Sequence, residues 1–177
     1  MLIDDYLPNF DFNERHDVLI NASAASVYRA AWDVKFGRSF LIKLLVRIRG
    51  MSPDNFSLSE IEQTDFKTLA EKPDEELVLG LIGRPWTFAG DLQKIRSPEA
   101  FLSFETPGFM KAAWNFSLKE EGKSTRLSTE TRVRCLGDSS RARFGLYWML
   151  IRPFSGLIRM EMLRLIKQQA ETAADPV

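Results

Sequence analysis

Residues 125–135, TRLSTETRVRC, alternate without interruption: Leu127, Thr129, Thr131 and Val133 face one way, and Arg126, Ser128, Glu130, Arg132 and Arg134 the other. A side-chain period of two is that of a β-strand, and apolar against charged alternation calls for a sheet with one dry and one wet face. Such a sheet must bury its dry face under a second layer. The residues that follow supply a candidate. From a cap at Asp138 or Ser139 onward, Phe144, Trp148, Ile151, Ile158, Met162 and Leu165 fall along one stripe of a long helix. Pro153 lies inside it and removes a backbone donor, so a kink is expected there, with Gly156 loosening the same turn.

The preceding elements follow from the same periodicities. Residues 14–20 alternate, with His16, Val18 and Ile20 on one face and Arg15, Asp17 and Leu19 on the other. Asn21-Ala-Ser starts a helix through Val27, Tyr28, Ala31 and Trp32, and a second helix is expected over 38–49, ended by Gly50. Strands at 66–71 and 76–83 flank the turn Lys72–Glu75; the parity of 77–82 is open, because Leu77, Leu79 and Leu81 compete with Val78, Gly80 and Ile82. Further strands are expected at 86–92, 101–105 and 112–119, the last aligning Trp114, Phe116 and Leu118. No repeat or linker divides the chain, so residues 1–177 read as one domain with its core over about 14–171 and a frayed tail from Ala170.

Composition excludes several classes of function. The 24 basic and 24 acidic residues cancel, which removes the bulk electrostatic case for a nucleic-acid binder. One cysteine, Cys135, and one histidine, His16, allow neither an internal disulfide nor a His-rich metal centre, and no Gly-rich phosphate loop implies a cofactor. The start MLIDDYLPNFDF carries acids and no base, the reverse of a secretory leader, and the apolar run 144–163 is interrupted by Arg152, Pro153, Arg159 and Glu161. A cytoplasmic protein without a transmembrane segment is expected. Charge is nonetheless segregated: Lys43, Arg47 and Arg49 border the apolar stripe of the second helix, where a peripheral contact with an anionic membrane is an open alternative to solvation.

The order strand, two short helices, several strands and one long helix resembles the START-like (SRPBCC) superfamily, which includes polyketide cyclases and lipid carriers. Ile20-Asn21-Ala22-Ser23-Ala24-Ala25-Ser26-Val27-Tyr28 is similar to that superfamily's strand-to-helix signature, with Ser23 where proline is common. The resemblance implies an α+β helix-grip fold in which a curved, antiparallel, seven-stranded sheet wraps around the C-terminal helix, leaving a cavity between them. Its walls would be Trp86, Phe88, Phe104, Trp114 and Phe116 of the sheet and Tyr147, Trp148 and Ile151 of the helix. Arg84, Thr129 and Thr131 would orient a polar end. Rigid aromatics give a ligand apolar area at low entropic cost.

The leading expectation is therefore non-catalytic binding of a small, mostly apolar ligand. A cyclase or dehydratase acting on such a ligand is the enzymatic alternative, with His16, Tyr147, Glu130 or Arg84 as titratable or electrophilic groups. A protein- or membrane-docking module is the third. Asn115 and Glu130 fall on the face assigned to solvent and become site candidates only if the register is inverted. His16 and Cys135 lie on the first and last strands, so a Cys–His nucleophile pair is geometrically conceivable, although no orienting third group is evident.

Overall fold

The computed structural model describes residues 1–36, 39, 58, 66–87 and 90–174. In chain order these form α1 (Ile3–Tyr6), β1 (Phe12–Ile20), α2 (Ala24–Asp33), β2 (Lys67–Lys72), β3 (Glu76–Gly83), α3 (Pro98–Ser103), β4 (Met110–Glu121), β5 (Ser124–Cys135) and α4 (Asp138–Ala174). The strands build one curved antiparallel sheet in the order β1-β5-β4-β3-β2. β4 and β5 pair in unbroken register from Met110↔Cys135 to Glu121↔Ser124. Gly122, at φ 67, makes the tight turn that a side chain would oppose. The expected helix at 38–49 lies outside the described residues.

Five strands stand among the described residues where seven were expected, and both losses have local causes. Residues 84–87 and 90–91 are held in turns: Arg84 N donates to Gly90 O, Thr87 N to Arg84 O and Gly90 N to Thr87 O. Gly90 and Asp91 both take positive φ, which ends any extended run before Gln93 bridges Ile82. Residues 101–105 belong to α3 and its exit. Ser97 Oγ accepts from Ala100 N at 3.2 Å, Pro98 fills the first turn and Glu99 adds an acid there. Together these are a helix start, and they prevail over the alternation of Leu102 and Phe104. α4 continues through Pro153 to Ala174, with Ala170 fully buried, so the frayed tail does not begin at Ala170.

α4 runs alongside β1 in the same direction, and with α2 it covers one face of the sheet. Ile20, Leu77, Leu79, Trp114, Phe116 and Leu127 pack there with Val27, Ala31, Met162 and Ile166. This settles the parity of β3, since Val78 and Ile82 point to the opposite face. That second face is not wet. Ile3 and Leu7, with Phe101 of α3, close over Leu69, Val78, Ile82 and Ala113. Asn115, Glu130 and Arg132, on the strand positions expected to meet solvent, are buried beneath these segments, as is Lys111.

Burial of those charges is possible because each is paired and hydrogen-bonded. Glu76 accepts from Leu2 N (2.7 Å), Ile3 N (3.2 Å) and Asn115 Nδ2 (2.7 Å), so a carboxylate from the sheet meets the amino-terminal end of α1. Arg132 donates to Glu130 Oε1 (2.9 Å), Asp4 Oδ1 (2.7 Å) and Leu7 O (3.2 Å). Lys111 Nζ donates to the Phe101 and Leu102 carbonyls at the end of α3 and to Glu105.

Candidate functional site between the sheet and α4

The interface of sheet and α4 divides along its length. At the Ile20 end it is filled by aliphatic side chains: Ile20, Leu127, Met162 and Ile166 are essentially inaccessible. Towards the start of β1 the side chains become polar. The alternation that points Ile20 and Val18 at α4 also points His16 and Glu14 there. His16 Nε2 lies 3.2 Å from Glu14 Oε1. The second carboxylate oxygen, Glu14 Oε2, is buried and has no hydrogen-bond partner, with Arg159 Nε at 4.0 Å.

Three strands carry the floor of this cluster. Thr131 is the Cα partner of Glu14 on β1 and of Trp114 on β4, so the three side chains form a row across neighbouring strands about 5 Å apart. The guanidinium of Arg159 sits over the Trp114 indole, 5.2 Å from its centroid. α4 passes close above: a Cβ on Gly156 would stand 2.8 Å from Glu14 Oε1 and 3.5 Å from His16 Nε2, so the helix approaches here because the residue has no side chain.

The two threonines differ in what remains of their bonding capacity. Thr129 Oγ1 accepts from Trp114 Nε1 at 2.6 Å and donates to Asn115 O at 2.8 Å, so its proton is committed. Thr131 Oγ1 is buried and has no hydrogen-bond partner among the described residues. Of the two expected polar contacts, Thr131 is the one whose hydroxyl is open to a ligand.

Beyond Thr131 the seam becomes aromatic. Phe12 packs on Phe144 (5.0 Å between centroids), Phe144 stacks on Trp148 (5.7 Å), and Tyr147 and Trp86 meet Phe144 at 5.8 and 6.2 Å. Trp86 Nε1 is buried without a hydrogen-bond partner. Trp114, Phe116, Thr129, Thr131, Trp86, Tyr147 and Trp148 are thus on the α4 side of the sheet, with Ile151 half-buried on α4. Phe88 lies outside the described residues.

Two expected residues are elsewhere. Phe104 follows α3 and packs edge-on against Phe109 on the second face, 5.5 Å between centroids. Arg84 stacks at 3.9 Å over that same Phe109 and pairs with Asp91 Oδ2 at 3.3 Å. Both displacements follow from the described residues of 84–87 and 90–105 forming turns and a helix instead of two strands. Glu130, assigned to solvent, is the buried partner of Arg132 on the second face.

A Cys–His pair is excluded. Cys135 lies six residues along β5 from Thr129, the partner of His16, a separation of about 20 Å at ~3.3 Å per residue. The thiol is buried, and burial pushes its pKa up to about 12. Among the described residues no group of three or more His, Cys, Asp or Glu side chains gathers to hold a metal ion. A groove of about 530 Å³ opens on the face away from α4, lined by charges of both signs that include Arg15, Lys72, Arg126, Asp5 and Glu75. No described helix is long and apolar enough to cross a membrane.

Glu14 and Arg159 are the site residues that the sequence reading missed. Glu14 keeps the parity of His16 two residues earlier. Arg159 is a base set in an apolar helical run, three residues after a glycine.

No protein-family model matches the chain, and no curated protein is significantly similar to it. Several solved structures align with most of its length. A protein from Thermus thermophilus is 10% identical with a TM-score of 0.41, over 93% of this chain and 100% of that one. The di-domain ARO/CYC BexL from the BE-7585A biosynthetic pathway is 18% identical with a TM-score of 0.41, over 94% of this chain and 48% of that one. The Zhui aromatase/cyclase of Streptomyces sp. R1128 is 13% identical with a TM-score of 0.34, over 93% and 96%. Two of these neighbours are thus described as aromatase/cyclase proteins. The likeness does not extend to a reaction or a ligand.

Proposed function

We propose that the chain binds a small, mostly apolar molecule bearing a polar group, held between the sheet and α4 and released unchanged. The reading is carried by two buried polar atoms, Glu14 Oε2 and Thr131 Oγ1, that have no hydrogen-bond partner among the described residues and lie on paired strands beside the Trp114 indole. Native proteins leave few such atoms, because each costs about 1–3 kcal/mol. A ligand hydroxyl donating to Glu14 Oε2 and bonding Thr131 Oγ1 would satisfy both. Arg159 would face a carbonyl or carboxylate on the same molecule, and Trp114, Phe12 and Trp148 would meet its apolar body.

One observation favours a second reading. The His16 imidazole within 3.2 Å of the Glu14 carboxylate is an acid–base couple, which a cyclase or dehydratase would need. Quenching of tryptophan fluorescence by a panel of polycyclic phenols and hydroxylated fatty acids tests both. The carrier reading expects saturable binding that weakens at least about tenfold in Glu14→Gln and in Thr131→Val, with ligand recovered intact. No binding across the panel, or binding indifferent to both substitutions, overturns it. Chemical turnover that His16→Gln abolishes while binding persists would establish the enzymatic reading instead.

A further inference from the structure

α4 is apolar on two opposite sides. At about 100° per residue, the buried stripe of Phe144, Ile151, Ser155, Ile158 and Met162 is diametrically opposed to Leu146, Met149, Leu150, Pro153, Leu157 and Met160. That second stripe faces outward. Leu146, Met149 and Leu150 are 68%, 70% and 68% exposed, and Leu157 and Met160 are 42% and 49% exposed. Single exposed apolar residues are ordinary, whereas a ridge of five over four turns marks a contact surface.

Charge says what the ridge fits. Between Asp138 and Glu161 the helix holds Arg141, Arg143, Arg152 and Arg159 and no acid. Arg143 and Arg152 are exposed and lie on either flank of the ridge, and neither makes an ion pair among the described residues. A protruding row of flexible Leu and Met side chains bordered by arginines matches an amphipathic helix lying in a lipid interface, its arginines at headgroup level. A second copy of this chain is a poorer occupant, because pairing two such ridges would bring acid-free, arginine-bordered surfaces together. We infer that the outer face of α4 between Leu146 and Met160 docks the protein onto an anionic lipid surface.

The test is co-sedimentation of the full chain with vesicles of phosphatidylcholine alone and with about 30% phosphatidylglycerol. The chain should partition onto the anionic vesicles, remain in solution with the neutral ones, and be released as salt is raised through about 0.5 M. Leu146→Ser/Met149→Ser/Leu150→Ser and, separately, Arg143→Glu/Arg152→Glu should each weaken partitioning by at least about tenfold. Both sets lie on the exposed side, and unchanged far-UV circular dichroism and thermal midpoint identify variants that keep the fold. The inference fails if anionic vesicles do not bind the chain at low salt, or if folded variants of both sets bind as well as the parent. It also fails if sedimentation shows a dimer that the triple variant abolishes, which gives the face to a second copy. Binding to poly-glutamate with none to vesicles would give it to an acidic protein.

Discussion

Thr131 and Thr129 stand two residues apart on β5, facing the same side of the sheet, yet replacing each by valine should move stability in opposite directions. Valine keeps the branched shape and the strand preference of threonine, so the hydroxyl is the main loss. At Thr131 the removed group is a buried hydroxyl without a partner, whose burial costs about 1–3 kcal/mol. Thr131→Val should therefore stabilise the ligand-free protein by about 1 kcal/mol, raising Tm by roughly 2–4 °C for a domain of this size. At Thr129 the same change removes the acceptor of the Trp114 N–H and the donor to Asn115 O, leaving an indole N–H buried and unpaired. The loss there should be about 2–3 kcal/mol. Urea denaturation followed by circular dichroism reads both, with equal m-values as the check that the compared states are the same. If Thr131→Val loses as much as Thr129→Val, the Thr131 hydroxyl is already satisfied and is not open to a ligand.

Other substitutions probe the same geometry from different sides. Gly156→Ala places a methyl 2.8 Å from Glu14 Oε1, the mobile end of a side chain, so the carboxylate should swing away from His16. Helix propensity gains up to about 1 kcal/mol in compensation, so stability should change little while ligand affinity falls, as a thermal melt beside a binding titration will show. Cys135 should resist alkylation in the native protein at pH 8 and react once urea exposes it. Because burial raises its folded pKa above that of the unfolded thiol, its contribution to stability is complete below about pH 9 and is lost as pH rises towards 12. Cys135→Ala should flatten that alkaline decline in urea midpoints. On the acid side, hydrogen bonds from Arg132 and Arg164 hold Asp4 and Glu161 below their ordinary carboxylate values. Their contribution is complete above about pH 5 and is lost as pH falls through those lowered values, so Asp4→Asn should narrow the difference in urea midpoint between pH 7 and pH 3.

The parts of the fold visible in the sequence are those where one periodicity runs long enough to override its neighbours. β5 declares itself by eleven residues of alternation, and its pairing with β4 follows from the Gly122 turn. The stripe from Phe144 to Met162 identifies the face that α4 buries. Ser97-Pro98-Glu99 starts a short helix where the alternation of Leu102 and Phe104 suggests a strand, and that exchange moves Phe104 away from the site. The second face was misjudged for a non-local reason. Arg132 reads as a solvent-facing charge because its partners Asp4 and Leu7 lie more than a hundred residues away, and Glu130 is buried with it as its ion-pair partner. Of the site, Trp114, Thr131 and His16 were legible from strand parity. Glu14 and Arg159 were not, because a charge beside an apolar run signals a boundary until the packing that surrounds it is known.

Asn115 sits between the two buried faces of the sheet and belongs to both. Its carbonyl takes the Thr129 proton beneath Trp114, while its side chain accepts from Glu130 N and donates to Glu76, the carboxylate that grips the first turn of α1. A single peptide unit therefore separates the α4 side of the sheet from the clasp on the amino-terminal segment. Deuterium uptake by the amides of Leu2 and Ile3 becomes a remote gauge of whatever enters beside Trp114.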